Sequence, residues 1–379
     1  IIYIMKIGID VFSFDKPGEN YGVGPGVYVW HLLPEIFKIG SEHSFYVFAN
    51  KDNAHMIPRM DNVNVIVSNL PNKTRPVRII HEQINVVYYS IKYRLDKVHF
   101  LGNNISFLIS KKSIITIYDL MWKYYFDRGD RSLKYFYTLF TIPKTIKKAE
   151  SIITISKFIA EELRDVYGRK HNVYPVLLAP CKLSSLTDDL LNSFREKYSF
   201  DFIFTVTTSM PHKNLITLLK ALAILKKKGA LNFKLIVAGQ MRGLFHLENE
   251  SFIRLNGLEK DVILAGFISE EEKSFLYRNA KFVVYPSLYE GFGLPLLESM
   301  SVGTPVISSN AASMPEVGGE ACLYFNPDSV DDLVTLIDNT LKNKKQLSDL
   351  AEAGLNQYKK FNWKNVAMET MKVYEEHKN

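Results

Sequence analysis

Two glutamates with seven residues between them, Glu290 and Glu298, flank a glycine turn in the stretch FVVYPSLYEGFGLPLLESMS, residues 282–301. The apolar run Phe282–Tyr285 predicts a strand buried on both faces. Gly291 and Gly293 let a backbone approach a ligand closely, and Pro295 suits the first position of a helix. Free N–H groups at such a helix start favour a phosphate or diphosphate. A carboxylate accepts hydrogen bonds through two oxygens and so matches a pair of neighbouring sugar hydroxyls. Together these features read as a nucleotide-sugar site. The same residues also fit a buried strand and an ordinary helix, with Glu298 complementing the helix dipole.

The longer segment VVYPSLYEGFGLPLLESMSVGTPVISSNAASMPEVGGEACLYFNPD resembles the signature region of glycosyltransferase family 4. These are retaining enzymes of the α/β GT-B fold, in which two Rossmann-like domains face each other across a cleft and a C-terminal helix crosses back. The resemblance implies that Glu290 contacts donor-sugar hydroxyls and that the amides of Gly291, Phe292, Gly293 and Leu294 hold the diphosphate. It implies that Glu298 binds the ribose and that the backbone at Phe267 and Ile268 contacts the base. Pro211-His212-Lys213-Asn214 matches the family's Pro-x-Lys-Asn/Gly turn and would put the Lys213 ammonium on the leaving diphosphate.

In the N-terminal half, Gly24 of the Gly22–Gly26 loop occupies the place from which the family approaches the donor. His99 and Asn103, in VHFLGNN, are acceptor-side candidates on the same ground. At Tyr118-Asp119 the family usually has His-Asp. A tyrosine still donates a hydrogen bond but carries no positive charge near neutral pH, which bears on donor preference. Thr207 and Thr208 stand where relatives tend to have Gly and Arg, so a second cation on the phosphate is missing or comes from elsewhere. The catalytic set implied is Glu290, Lys213, Asp119 and Tyr118. No metal ligand set is expected, and none is implied by the resemblance.

The elements that must hold these residues follow from the rest of the chain. Its 379 residues suit two domains, and short apolar runs alternate with helical periods throughout, an α/β pattern. The expected division is 1–178 as an N-terminal acceptor-side domain, 179–362 as the donor domain, and 363–379 as the returning helix. Phe361 and Trp363 would anchor that helix. A helix is predicted from Val27, and capping boxes at Ser269/Glu272 and Ser313/Glu316. The opening IIYIMKIGIDVF reads as a first strand rather than a leader, since Asp10 interrupts it.

Charge is uneven. Residues 1–180 hold 24 Lys and Arg against 16 Asp and Glu, whereas 181–379 hold 23 against 24. Within 73–148 the count is 15 basic to 5 acidic, interleaved with aromatics. This combination fits peripheral contact with an anionic membrane, or a solvated basic face. No nucleic-acid motif is present. Two cysteines in no ligand spacing fit a reducing cytoplasm.

The expectation is a retaining hexosyltransferase, with GDP-mannose the first donor guess. It would act on a glycan or lipid-linked hydroxyl in cell-surface polysaccharide or glycolipid assembly, in the cytoplasm or at the inner face of the plasma membrane. Rival readings are a non-catalytic nucleotide-sugar-binding member and a GT-B-like enzyme such as a nucleotide-sugar epimerase. The first glycine loop has the wrong spacing for a nicotinamide-dependent dehydrogenase.

Overall fold

The computed structural model describes residues 4–14, 23–70, 74–109, 112–122 and 133–376. Gly22 of the glycine loop and the aromatics Tyr124, Tyr125 and Phe126 lie outside them. The chain divides into two units, Ile1–Ala179 with Phe361–Asn379, and Pro180–Lys360.

Unit 1 is built on seven parallel strands: β1 (Lys6–Asp10), β2 (Ser44–Ala49), β3 (Val63–Val67), β4 (Lys97–Phe100), β5 (Lys112–Ile117), β6 (Ser151–Thr154) and β7 (Val173–Pro175). Their order is β3-β2-β1-β4-β5-β6-β7. Every residue of β4 and β6 is buried, as expected of central parallel strands with helices on both faces. The sheet is doubly wound, so its strand order reverses between β1 and β4. A crevice at the carboxyl ends of these strands is where such sheets bind ligands.

The first helix runs Val23–Ile39 and starts four residues earlier than its apolar period predicts. Gly24 and Gly26 therefore belong to its first turn, with Pro25 between them where a missing N–H costs nothing. The C-terminal helix Trp363–Glu375 belongs to this unit and packs along that first helix. Asn362 caps it, accepting a hydrogen bond from the Asn365 amide. Trp363 stacks on His31 at 5.1 Å between ring centroids, the anchoring expected of it. Ser156 likewise caps Lys157–Tyr167, accepting from the Ile159 amide.

Unit 2 repeats the plan with six parallel strands: β8 (Phe202–Val206), β9 (Lys234–Ala238), β10 (Val262–Gly266), β11 (Val283–Tyr285), β12 (Val306–Ser309) and β13 (Cys322–Phe325). The order β10-β9-β8-β11-β12-β13 places its reversal between β8 and β11. Apolar cores fill both faces. One joins the helices Leu215–Lys227 and Val330–Lys342 to the sheet, and the other involves Glu270–Asn279.

The two expected capping boxes form differently. Ser269 accepts from the Glu272 amide at 3.1 Å, but the Glu272 carboxylate turns to Lys197 and Tyr198 instead of closing the box. Ser313 caps nothing with its side chain. Its hydroxyl is taken by the glycine loop.

Candidate donor site

The two loops that leave the reversal point of unit 2 carry the residues singled out by type. After β8 the chain makes a 3-10 turn, Pro211–Lys213. After β11 it runs from Pro286 to the helix Leu294–Met300, with Pro295 inside the first turn. Asn214 locks the two together. It takes the left-handed conformation (φ +54°), which asparagine tolerates better than most residues. Its amide donates to the carbonyls of Pro286 and Pro327, both at 3.1 Å. The Leu288 amide donates to the His212 carbonyl at 2.7 Å, a second tie.

Within this frame Lys213 Nζ lies 2.6 Å from Glu290 Oε1. The side chains are 19% and 14% exposed, buried enough to be fixed and open enough to be reached. The Tyr285 hydroxyl donates to the same carboxylate oxygen at 3.2 Å. Burial, then the Glu290 charge, pushes this phenol well above its usual range, so it remains a donor. His212 is lowered to about 4, first by burial and then by Lys213. It stays neutral, and Lys213 carries the positive charge of the turn.

The glycine loop is pinned from behind. Ser313 Oγ sits 2.9 Å from the Glu290 carbonyl and 2.6 Å from that of Phe292, the role it takes in place of helix capping. Gly293 has φ +117°, and a Cβ there would meet Met314 at 3.2 Å. Glycine is thus favoured by the conformation, and a side chain would also make Met314 shift.

Glu298 lies in the same helix and is held by the neighbouring one. The Tyr277 hydroxyl donates to Oε2 at 2.9 Å, and Lys273 Nζ donates to Oε1 at 3.3 Å. Burial works against the Lys273 charge, but Glu298 and Glu270 outweigh it and hold the ammonium above its usual value. A carboxylate anchored in this way keeps lone pairs for a diol. Phe267, after β10, is 84% exposed, and Ile268 packs partly into the core. Sequence reasoning missed Tyr285, Tyr277, Lys273 and the Ser313 contact, because each works across an element boundary that no local spacing records.

The glycosyl transferases group 1 model matches residues 190–357, which include both of these loops. This region of the chain is therefore similar to that family. The O-antigen chain mannosyltransferase B of Escherichia coli is 31% identical over 244 residues, 62% of this chain and 62% of that protein. The serotype-specific mannosyltransferase WbdA of Escherichia coli is 29% identical over 231 residues, 58% of this chain and 28% of its own. Matches to these curated relatives thus span less than two thirds of their length. A solved glycosyltransferase from Rickettsia africae superposes with a TM-score of 0.71 at 17% identity, covering 98% of both chains. The fold is of the GT-B type.

In unit 1 the residues picked by resemblance separate into two sets. His99 is fully buried, with Nδ1 2.7 Å from the Tyr374 hydroxyl and Nε2 2.8 Å from Thr116 Oγ1. Both ring nitrogens are occupied by the core. Tyr118 is 6% exposed and donates its hydroxyl to the Leu101 carbonyl at 2.7 Å. Burial, then Tyr28, raises that phenol well above its usual value. It packs here as a buried donor to the loop after β4. Asp119 accepts from the Met121 amide at 3.0 Å. Gly24 has open space where a Cβ would stand, so its backbone is approachable. Asn103 stays partly exposed after β4.

Proposed function

We propose that this protein is a retaining hexosyltransferase that moves a sugar from a nucleoside diphosphate to an acceptor hydroxyl. The observation that carries the reading is the Lys213–Glu290 pair, held across the β8/β11 reversal with the Gly291–Leu294 amides beside it. Glu290 accepts from donor-sugar hydroxyls, Lys213 and the loop amides hold the diphosphate, and Glu298 takes the ribose hydroxyls. The helix Leu294–Met300 is short, so the full charge of Lys213 outweighs its dipole.

As the bond from the anomeric carbon to the β-phosphate oxygen breaks, that oxygen gains negative charge beside the Lys213 ammonium. Such placement of charge accounts for the largest single share of rate in many enzymes. The acceptor oxygen bonds to the anomeric carbon on the same face, and its proton passes to the departing phosphate. Mannose from a GDP donor is the favoured substrate, since both curated relatives reported above are named mannosyltransferases.

The acceptor is a glycan or lipid-linked sugar, and unit 1 meets an anionic membrane surface. Ile80, Ile84, Tyr88 and Ile91 are all exposed along one helical run, 75–92. Lys92 lies over the rings of Tyr88 and Tyr93. Leu108 and Phe140 are also exposed, with Lys144 over the Phe140 ring. Among the described residues no helix is long and apolar enough to cross a membrane, so the contact proposed is peripheral, at the cytoplasmic face.

Calorimetric binding of GDP-, UDP-, ADP- and dTDP-sugars tests the donor site. One donor should bind, and Lys213→Ala and Glu298→Ala should each weaken it; undiminished affinity in both variants would refute the assignment. A rival reading, a binding protein without transfer, predicts donor binding with no sugar consumed.

A further inference from the structure

Glu298 is gripped from one face of the helix Glu270–Asn279 by two residues four positions apart, Lys273 and Tyr277. The grip is uneven. The Tyr277 hydroxyl donates to Oε2 at 2.9 Å, whereas Oε1 faces the Lys273 ammonium at 3.3 Å. Tyr277 is fully buried, and burial, then the Glu298 charge, lifts its phenol well above the usual range. It stays a neutral donor and is closed off from a ligand. The Lys273 and Glu298 side chains are 14% and 15% exposed, so ammonium and carboxylate open to solvent side by side.

The helix that carries the grip is itself pinned. Ser274 donates its hydroxyl to the Ser184 carbonyl at 2.7 Å, and the Tyr277 carbonyl accepts from the Thr304 hydroxyl. Glu270 takes a second Lys273 donor at 2.8 Å. An ammonium has three donors, so among the described residues one is left over. Fixing Glu298 needs only the Tyr277 hydroxyl, and drawing a cation out of water costs free energy. Anchoring alone therefore does not explain Lys273.

We infer that Lys273 and Glu298 Oε1 together read one hydroxyl of the donor's ribose, so that this chain takes ribonucleoside diphosphates and discriminates against their deoxy counterparts. This rests on the donor reading above. A hydroxyl seated between the two donates its proton to Oε1 and accepts from the ammonium, so its capacity is used in both directions. The neighbouring hydroxyl donates to Oε2 and meets no cation there. The two hydroxyls of the diol are thus bound unequally. A donor lacking the first leaves two charged groups unmet, and sites built to bond a hydroxyl reject the analogue without it strongly. Lys273 is a specificity residue, whereas Tyr277 is a positioning residue that acts through Glu298.

Calorimetry with GDP, UDP and ADP, each beside its 2′-deoxy and 3′-deoxy analogue, tests the assignment. For the parent that wild-type protein binds best, one analogue should bind at least about tenfold more weakly, the scale of one hydrogen bond to a charged group, and the other should lose less. Lys273→Met should weaken the parent and bring the larger penalty down to the smaller, which itself stays unchanged. Lys273→Arg keeps a cation and should preserve the larger penalty. Tyr277→Phe should weaken all three ligands by one factor and leave both penalties standing. Lys273→Gln serves if the methionine variant does not fold. Wild-type protein that binds both analogues as tightly as the parent overturns the inference. So does a lysine variant that weakens parent and analogues alike, or one that relieves both penalties equally, for Lys273 is then an anchor only. Failure of the donor reading shows separately, as wild-type protein that binds none of the three parents.

Discussion

Lys213 Nζ and Glu290 Oε1 stand 2.6 Å apart although 77 residues separate them in the chain. The pairing follows from sheet topology, because the loops after β8 and β11 leave adjacent strands at the reversal of unit 2. Asn214 then fixes the approach by donating to the Pro286 carbonyl at the start of the other loop. The ion pair keeps both side chains in place, so neither rotamer has to be sought when a diphosphate sugar arrives.

Lys213→Ala should therefore lower kcat/KM by about 10²–10³, the range for loss of one transition-state donor. Glu290→Gln should reduce sugar discrimination and leave nucleotide diphosphate affinity within about threefold, well under 1 kcal/mol. Steady-state kinetics with the preferred donor, alongside calorimetry with the free nucleoside diphosphate, separates the two effects. Equal losses of diphosphate affinity in both variants would contradict the division of roles.

Ser313→Ala removes the hydroxyl that reaches the Glu290 and Phe292 carbonyls. It should cost about 1–2 kcal/mol in urea unfolding, for a buried acceptor left unmet. Donor affinity should fall with it, since the loop it pins is the loop that binds. Gly293→Ala should cost more, because a side chain at φ +117° is strained and also meets Met314.

The strand–glycine loop–helix around Glu290 was legible because its signals are local: an apolar run, turn residues, then Pro295. The surroundings of His99 and Tyr118 were not legible, for the opposite reason. Polar residues at strand ends look functional in sequence, yet the His99 partner Tyr374 comes from a helix 275 positions away. Local chemistry reads from sequence; groups brought together by topology do not.

Burial lowers His99 to about 3 and His212 to about 4, against an unfolded value near 6.5. Between those limits the unfolded chain binds the proton and the folded chain does not. The stability from keeping both rings neutral is therefore present above about pH 6.5 and lost as pH falls towards 4. Each group contributes a slope approaching 1.4 kcal/mol per pH unit over that window. Glu82, raised to about 8, acts oppositely, and its contribution is lost as pH rises from about 4.5 through 8. Urea melts from pH 4.5 to 7.5 should show the acid loss, and His99→Gln should flatten it; an unchanged slope would show that His99 titrates normally.

Beside the exposed Ile80, Ile84, Tyr88 and Ile91, the acidic residue of that helical run is Glu82, whose Oε1 is buried and which feels the charge of Asp10. Attraction to anionic lipid should then come from Lys92, Arg94 and Lys144, and the partition energy from the apolar side chains. Binding to vesicles of phosphatidylglycerol and phosphatidylcholine should weaken as salt rises, since the Debye length falls from about 10 Å at 0.1 M to about 3 Å at 1 M. Ile84→Glu should reduce binding at every salt concentration, for it removes buried apolar area and adds a charge of the lipid's own sign. Lys92→Gln should reduce binding at low salt and matter little at high salt. Neutral phosphatidylcholine vesicles binding as well as anionic ones, or Ile84→Glu binding like wild type, would remove this surface from the account of how the acceptor is reached.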